Sequence, residues 1–130
     1  MRDFIQEITR EAGQIGAEKF GKIGVHHTKK DPTDVVTEAD ILSNEYLTKR
    51  ISAAYPAHHI LSEEGDTALT GTDYEWIIDP LDGTRNFATR TPLFGVLVAL
   101  AHQGKVIMAA IAQPMTQELF FAEAGKGAFK

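Results

Sequence analysis

The sequence contains no cysteine among its 130 residues. Disulfide bonds and thiolate zinc sites are therefore excluded. The chain also lacks an excess of positive charge, because 18 Asp and Glu residues outnumber 13 Lys and Arg residues and leave a net charge of −5. A domain that binds nucleic acid usually carries a basic stripe on its surface, so no nucleic-acid partner is expected.

Long apolar runs are also missing from the sequence. The longest apolar stretch, residues 94–101, contains a glycine and falls well short of the roughly 20 residues that a membrane-spanning helix needs. Residues 1–4 include charges and no apolar signal core. We therefore expect no membrane contact and a cytoplasmic location. The length and the apolar fraction of 43% are those of one domain with its own core.

Apolar residues at helical spacing predict two amphipathic helices in the first part of the chain. The first covers about residues 2–20, and the second covers about residues 38–55. Thr37 is a plausible N-cap of the second helix, with Asp40 three residues later as an imperfect capping box. Residues 26–32, between the helices, are polar and predict a loop.

After the second helix the pattern changes to short apolar runs bounded by turn residues, which predicts strands. The predicted strands cover residues 60–61, 75–79, 96–102, 105–113 and 118–122, with a short helix at 86–92. Because helices come first and strands after them, the fold class is predicted as α+β, with a helix pair packed on a mainly antiparallel sheet. The pattern predicts that another strand begins at Phe129, so we expect the polypeptide to be part of something longer.

The most informative segment is residues 76–84, where a short apolar run ends in two carboxylates. Pro80 favours a turn that could bring Asp82 back towards Asp79 and aim the Leu81 carbonyl into the same space. Carboxylate and carbonyl oxygens are the ligands that Mg²⁺ prefers. Asp-Pro or Asp-Gly alone would be read as a simple turn, but the ordered string favours a metal site.

A phosphate-binding turn is predicted directly after this metal site, at Gly83 and Thr84. Gly83 would let the backbone approach a ligand closely. Thr84 could cap a helix or orient a water molecule. Free amides at the start of a following helix would bind phosphate oxygens.

Other polar groups are weaker candidates. Glu63 and Glu64 follow a predicted strand and would face the same crevice if the two strands are neighbours; alone they would be surface charge. The histidine pairs at 26–27 and 58–59 lack helical metal-ligand spacing, and we interpret all four as surface or loop residues.

The remaining candidates lie before the second helix. Asp34 and Asp40 could simply favour the positive end of the helix dipole. Lys29, next to a crevice rich in carboxylates, could steer phosphate, and in isolation it would be a solvated loop residue.

With these residues in view, the chain resembles the inositol monophosphatase family of Mg²⁺-dependent, lithium-sensitive phosphatases. The matching strings occur in family order and span nearly all of the chain: residues 34–40, 61–65, 76–84, 86–87 and 125–129. The resemblance implies the N-terminal part of a layered αβαβα sugar-phosphatase fold. It also implies a Mg²⁺ cofactor, a small phosphorylated substrate and a homodimer.

The resemblance further implies roles for individual positions, with Asp40 and Thr84 as the pair that orients the attacking water. The implied sets are the metal ligands Glu63, Asp79, Leu81 (through its carbonyl) and Asp82; the substrate-binding residues Asp82, Gly83 and Thr84; the catalytic residues Asp40, Glu63 and Thr84; and the supporting residues Glu64 and Lys29.

The resemblance also implies a missing part. Family members are roughly twice as long, and their second half carries a Trp-Asp motif that completes the second metal site. The one tryptophan here, Trp76, belongs to the first half. We therefore interpret residues 1–130 as an N-terminal metal- and phosphate-binding domain without the C-terminal domain.

The implied activity is Mg²⁺-dependent hydrolysis of a phosphate monoester through two- or three-metal activation of water. Inositol monophosphate is the first-choice substrate. The alternatives are 3′-phosphoadenosine 5′-phosphate, fructose 1,6-bisphosphate or histidinol phosphate, or a non-catalytic truncated module that binds metal or a partner.

Overall fold

The structure, a computed structural model, describes residues 1–22, 25–28, 35–64 and 73–130. Its elements in chain order are α1 (Arg2–Lys19), β1 (Val25–Thr28), β2 (Val35–Thr37), α2 (Glu38–Ala54), β3 (His59–Ser62), β4 (Tyr74–Asp82), α3 (Thr84–Ala88), β5 (Gly95–His102), β6 (Lys105–Gln113), β7 (Glu118–Glu123) and β8 (Gly127–Phe129).

The strands form a two-stranded sheet, β1-β2, and a six-stranded sheet in the order β3-β4-β5-β6-β7-β8. Within the larger sheet only β3 and β4 are parallel, and the other neighbours are antiparallel. Helices α1 and α2 pack on each other and on this sheet. The predicted fold class, a helix pair on a mainly antiparallel α+β sheet, is therefore confirmed.

The core lies between the two long helices and one face of the sheet. Helix α1 contributes Ile5 and Ile8, helix α2 contributes Leu47, and the sheet contributes Trp76 and Val98. All five side chains are essentially fully buried. Side chains alternate between the two faces of a strand, so every second residue of β4 and β5 enters this core.

The other face of the sheet is also apolar. It carries a groove of about 490 Å³ whose lining includes Leu61, Ile77, Leu97 and Ile111. Ile111 is 42% exposed. Glu63 also lines the groove, so the groove reaches the end of β3 where the predicted site begins.

Helix α2 begins at a complete capping box. The Thr37 hydroxyl accepts a hydrogen bond from the Asp40 amide, and the Asp40 carboxylate accepts one from the Thr37 amide. The sequence predicted an imperfect box because Asp is shorter than the usual Glu. Asp40 nevertheless completes the box, because its carboxylate Oδ2 lies 2.9 Å from the Thr37 nitrogen.

The predicted loop at 26–32 is wrong in its first part. Val25–Thr28 form β1, which pairs antiparallel with β2. That strand depends on pairing with residues about ten positions further on, which local polarity does not reveal. Residues 29–32 lie outside the described part of the chain.

The predicted helix at 86–92 is displaced towards the N-terminus. The observed helix, α3, covers Thr84–Ala88 and has Gly83 as its N-cap. Gly83 adopts a left-handed φ of 83°, which lets the chain leave β4 and enter the helix at once. The helix therefore begins two residues earlier than the apolar pattern suggested.

The predicted turn at Pro80 is also wrong, because β4 continues through Pro80 to Asp82. The partner of Asp79 on β5 is Leu97, and the partner of Asp82 is Gly95. Three steps along β4 thus match two steps along β5, which is a β-bulge. A bulge tolerates proline because one residue is left out of the ladder.

Candidate active site

Glu63 and Asp79 lie side by side towards the carboxyl ends of two parallel strands, Glu63 directly after β3 and Asp79 within the last part of β4. The register pairs Ser62 with Ile78, so the next residues of β3 and β4 are these two acids. The Glu63 amide donates a hydrogen bond to the Ile78 carbonyl across 3.3 Å and extends the pairing by one step. Parallel strands present their carboxyl ends at one edge of a sheet, where ligands commonly bind. The sequence placed Glu63 and Asp79 at one crevice only if their strands are neighbours, and β3 and β4 are neighbours.

The carboxyl group of Asp79 lies in an environment that disfavours its charge. Burial, followed by the negative charges of Glu63 and Asp82, raises the pKa of Asp79 to about 7. A hydrogen bond with Glu63 acts in the same direction, whereas the Leu81 amide, 3.2 Å from Oδ1, stabilises the charged form. Like charges gathered at one strand end are what a bound cation would offset.

The bulge in β4 turns the Leu81 side chain inward and brings its carbonyl to Thr84. The side chain is 2% exposed and packs with Phe87 and Phe94. The Leu81 carbonyl accepts a hydrogen bond from Thr84 Oγ1 at 2.9 Å. Asp82, the next residue, is exposed. The bulge therefore separates a buried anchor from an exposed acid.

Asp40 and Thr84 are in direct contact. Thr84 Oγ1 lies 2.8 Å from Asp40 Oδ1, and the second carboxylate oxygen of Asp40 accepts from Thr37. Asp40 has no exposed surface. Asp40 is therefore shielded from solvent and contacts the candidate site through Thr84, and its predicted catalytic role stays a prediction.

Gly83 is required by the space around it as well as by its backbone angle. A Cβ atom built there would lie 2.9 Å from the Leu93 carbonyl oxygen. The Asn86 side chain donates a hydrogen bond to that same oxygen at 2.9 Å, which fixes its position. Any larger residue at position 83 would therefore displace the turn that presents Thr84.

Sequence reasoning missed two polar residues behind Glu63. Ser62 Oγ donates to Asn44 Oδ1 at 2.6 Å and accepts from the Glu64 amide at 3.2 Å. The available signal was a serine directly before the acidic pair, together with an asparagine four positions after Asp40 on a helix. The supporting role of Glu64 stays a prediction, and Lys29 lies outside the described residues.

His58 lies in the loop between α2 and β3, which confirms the prediction of a surface or loop residue. Its side chain is half-buried and stacks between the rings of Tyr55 and Tyr74. Its Nδ1 accepts a hydrogen bond from Trp76 Nε1 at 3.1 Å. Its neighbour His59 belongs to β3. His58 thus packs the loop before β3 against neighbouring rings, whereas His59 is a strand residue rather than the predicted loop residue.

The donor set suits a hard cation. Among the described residues, no three His, Asp or Glu side chains are arranged to hold a metal ion by themselves. The oxygens available are the Glu63 and Asp79 carboxylates, the Asp82 carboxylate and the Leu81 carbonyl. Mg²⁺ usually takes one or two protein carboxylates and keeps several waters, so these residues fit Mg²⁺.

The comparison with known proteins agrees with this geometry. The sequence pattern described as the inositol monophosphatase family matches residues 1–130. The chain belongs to the inositol monophosphatase family. This confirms the family resemblance inferred from the motifs.

Relatives within the inositol monophosphatase family carry several names. The chain is 38% identical to a histidinol-phosphatase of Chlorobaculum parvum over 95% of this chain and 48% of that protein. It is 39% identical to an inositol-1-monophosphatase of Rhizobium meliloti over 92% and 46%. It is 38% identical to the Nus factor SuhB of Pseudomonas aeruginosa over 92% and 45%. The chain thus spans about half the length of these relatives.

Solved structures of the family share the fold. The inositol monophosphatase of Thermotoga maritima superposes with a TM-score of 0.91 at 32% identity, covering 98% of this chain and 49% of that one. An inositol monophosphatase/NADP phosphatase solved with Mg²⁺ and phosphate superposes with a TM-score of 0.82 at 25% identity, covering 92% and 46%. In the part of the chain that the structure describes, no helix has the length and apolarity to cross a membrane.

Proposed function

We propose that the protein carrying this chain hydrolyses a phosphate monoester in a Mg²⁺-dependent reaction. The observation that carries the proposal is the Thr84 hydroxyl, held between Asp40 and the Leu81 carbonyl beside a strand end crowded with carboxylates. Family membership supports phosphatase chemistry. In this proposal residues 1–130 are the N-terminal metal- and phosphate-binding domain, and a C-terminal domain completes the site.

The metal would be held by oxygen ligands at the ends of β3 and β4. We assign Glu63, Asp79 and the Leu81 carbonyl to one ion, with Asp79 shared and Asp82 contributing to a second. A bound Mg²⁺ supplies Lewis acidity, lowering the pKa of a coordinated water and offsetting charge on phosphate oxygens. Asp79, whose charge is disfavoured when neighbouring carboxylates are uncompensated, would be ionised in the loaded site.

Thr84 would orient the attacking water. A hydroxyl has one proton and two lone pairs, so Thr84 can satisfy one of its two acceptors at a time. When it donates to Asp40, its oxygen is an acceptor for a proton of the water, and the Leu81 carbonyl is available to another partner. The water oxygen then bonds to phosphorus and gives up a proton, the bond from phosphorus to the alcohol oxygen breaks, and the leaving alkoxide takes up a proton to become the alcohol.

Gly83 and Thr84 would also bind phosphate through their backbone amides. The turn is suited to this because Gly83 has no side chain between the backbone and a ligand. Asp82 would contribute to the same subsite. The short connection from β4 to α3 therefore combines the metal-binding and phosphate-binding groups in three consecutive residues.

For the substrate we propose inositol monophosphate. One relative is named inositol-1-monophosphatase and another histidinol-phosphatase, so both alcohols belong in the test. The complete protein should release inorganic phosphate from inositol 1-phosphate only with Mg²⁺, and Li⁺ should inhibit the release. Histidinol phosphate, 3′-phosphoadenosine 5′-phosphate and fructose 1,6-bisphosphate form the comparison panel. A larger kcat/KM for one of these three would replace the substrate assignment and keep the reaction class.

A second candidate is a non-catalytic module that binds metal or a partner protein. One observation favours it: one relative is named a Nus factor. Absence of phosphate release from all four substrates in the complete protein, together with retained Mg²⁺ binding, would support this candidate. The proposal also includes a cytoplasmic location, a homodimer, and no contact with membrane or nucleic acid. Sedimentation of the purified protein would test the homodimer.

A further inference from the structure

We infer that Asn44 is a positioning residue for the Glu63 carboxylate, acting through Ser62. The inference rests on the proposed function, because it concerns how the Mg²⁺ ligand is held. Asn44 belongs to helix α2, and its side chain is hydrogen-bonded to Ser62 rather than to one of the acids. Its effect is on the position of the strand end that carries Glu63.

The first step is the contact itself. Ser62 is the last residue of β3 and is 5% exposed. Its hydroxyl donates to Asn44 Oδ1 at 2.6 Å, a short hydrogen bond between helix and strand. A buried hydroxyl without an acceptor has lost its hydrogen bonds to water and gained none in return, which is unfavourable. This bond therefore constrains the strand end more than an exposed hydrogen bond would.

The second step extends from Ser62 to the acids. The same hydroxyl oxygen accepts from the Glu64 amide at 3.2 Å, and the Glu63 amide is bonded to the Ile78 carbonyl. Glu63 therefore sits between two fixed points, one on β4 and one tied to helix α2. Without the Asn44 contact, one of the two points loses its attachment to the helix.

The third step is the position of Asn44 on its helix. It follows Asp40 by four residues, so the two side chains share one face of α2, one turn apart. Asp40 holds Thr84, and Asn44 holds Ser62. One helix face thus aligns the proposed water-orienting hydroxyl with the proposed metal ligand. Groups that orient metal ligands typically change metal affinity or activity 10–100-fold when they are removed.

The test is Mg²⁺ binding to the complete protein, measured by titration calorimetry and by the rise in Tm with MgCl₂. Asn44→Ala should weaken Mg²⁺ binding about tenfold. At saturating Mg²⁺, kcat should stay within about twofold of the wild type, because Asn44 touches neither water nor phosphate. Glu45→Ala, the next residue on the same helix and exposed, is the matched control and should bind Mg²⁺ as the wild type does.

A double-mutant cycle separates positioning from general damage to the fold. Ser62→Ala removes the bonds to both Asn44 and Glu64, so the double variant should bind Mg²⁺ as Ser62→Ala does, with no further loss from Asn44→Ala. Ser62→Thr keeps a hydroxyl and should restore most of the affinity. Should Asn44→Ala fail to fold, the smaller change Ser62→Ala, compared with Ser62→Thr, carries the test alone.

Three results would overturn the inference. Wild-type Mg²⁺ affinity in both alanine variants would remove it while the proposed function stands. Additive losses in the double variant would mean that Asn44 and Ser62 act separately. Failure of the wild-type protein to bind Mg²⁺ at all would overturn the proposed function, and the inference with it.

Discussion

Thr84 Oγ1 donates to Asp40 Oδ1 across 2.8 Å, although the two residues are 44 positions apart in the chain. The contact joins the first turn of α2 to the first residue of α3. Asp40 thus does two things: it completes the N-terminal cap of its own helix and it fixes a hydroxyl beside the carboxylates. Asp40 makes both contacts while fully buried.

Removal of the Thr84 hydroxyl tests the role given to this contact. Thr84→Ala should lower kcat of the complete protein about a hundredfold or more, because the water loses its acceptor. KM for the phosphate ester should change little, since the backbone amides remain. Thr84→Ser keeps the hydroxyl and is the matched control in steady-state assays. A similar loss in the serine variant would show that the methyl group, rather than the hydroxyl, matters.

Neutralising Asp79 should stabilise the metal-free fold. The pKa of Asp79 is raised to about 7 from an ordinary 3.8, so the folded state binds its proton more tightly than the unfolded state does. The raised pKa of Asp79 therefore reduces the free energy of unfolding as pH rises from about 4 to 7. Above pH 7 without metal, Asp79→Asn should raise the free energy of unfolding by roughly 1–2 kcal/mol. This figure is smaller than the full pKa shift would give, because solvent screens a partly exposed group. Urea unfolding in EDTA measures it.

Unfolding in the presence of Mg²⁺ is the control for that experiment. Adding Mg²⁺ at pH 8 should stabilise the wild type and leave Asp79→Asn nearly unchanged, because the variant has lost a ligand. Equal stabilisation of both proteins by Mg²⁺ would argue against Asp79 as a ligand.

Gly83→Ala should damage both stability and turnover. The left-handed φ of 83° strains any residue with a Cβ, and that atom would also meet the Leu93 carbonyl at 2.9 Å. We expect a loss of about 1–3 kcal/mol in the free energy of unfolding. Gly104→Ala is a suitable control, since Gly104 also has a positive φ but nothing lies within 4 Å of its Cβ position. A larger loss at position 104 would contradict the role of the Leu93 contact.

His58 should make the fold less stable in mild acid. Burial lowers the pKa of His58 below its ordinary 6.5, and its Nδ1 is occupied as the acceptor of the Trp76 indole. Because the unfolded chain takes up the proton more readily, the stabilisation is complete above pH 6.5 and is lost as pH falls through the folded-state pKa. Tm should therefore fall more steeply between pH 7 and 5 in the wild type than in His58→Gln. Parallel pH profiles would refute this assignment.

Local patterns were sufficient to predict the long elements. Helices α1 and α2 each end within one residue of the sequence-based boundary, because their apolar faces repeat over several turns. The hairpin turn at Gln103 and Gly104 also follows from local chemistry, and both residues have positive φ as a two-residue hairpin loop requires. The order of acids and glycine around Asp79 pointed to a candidate site, whose residue roles stay predictions.

Features that depend on distant partners could not be predicted in this way. Strand β1 exists through its pairing with β2, and the bulge at Pro80 exists through its register with β5. The contact between Asn44 and Ser62 joins residues 18 positions apart on two different elements, and no local sequence pattern predicts it. The candidate ligands could therefore be proposed from the local sequence, whereas the contacts around them are visible only in the tertiary structure.

The most direct measurement is phosphate release from inositol 1-phosphate by the complete protein, for the wild type and Asp79→Asn, with and without Mg²⁺. The account predicts that release by the wild type requires Mg²⁺, and that the folded Asp79→Asn variant releases none above background. Normal release by Asp79→Asn, or release by the wild type that persists in EDTA, would contradict it.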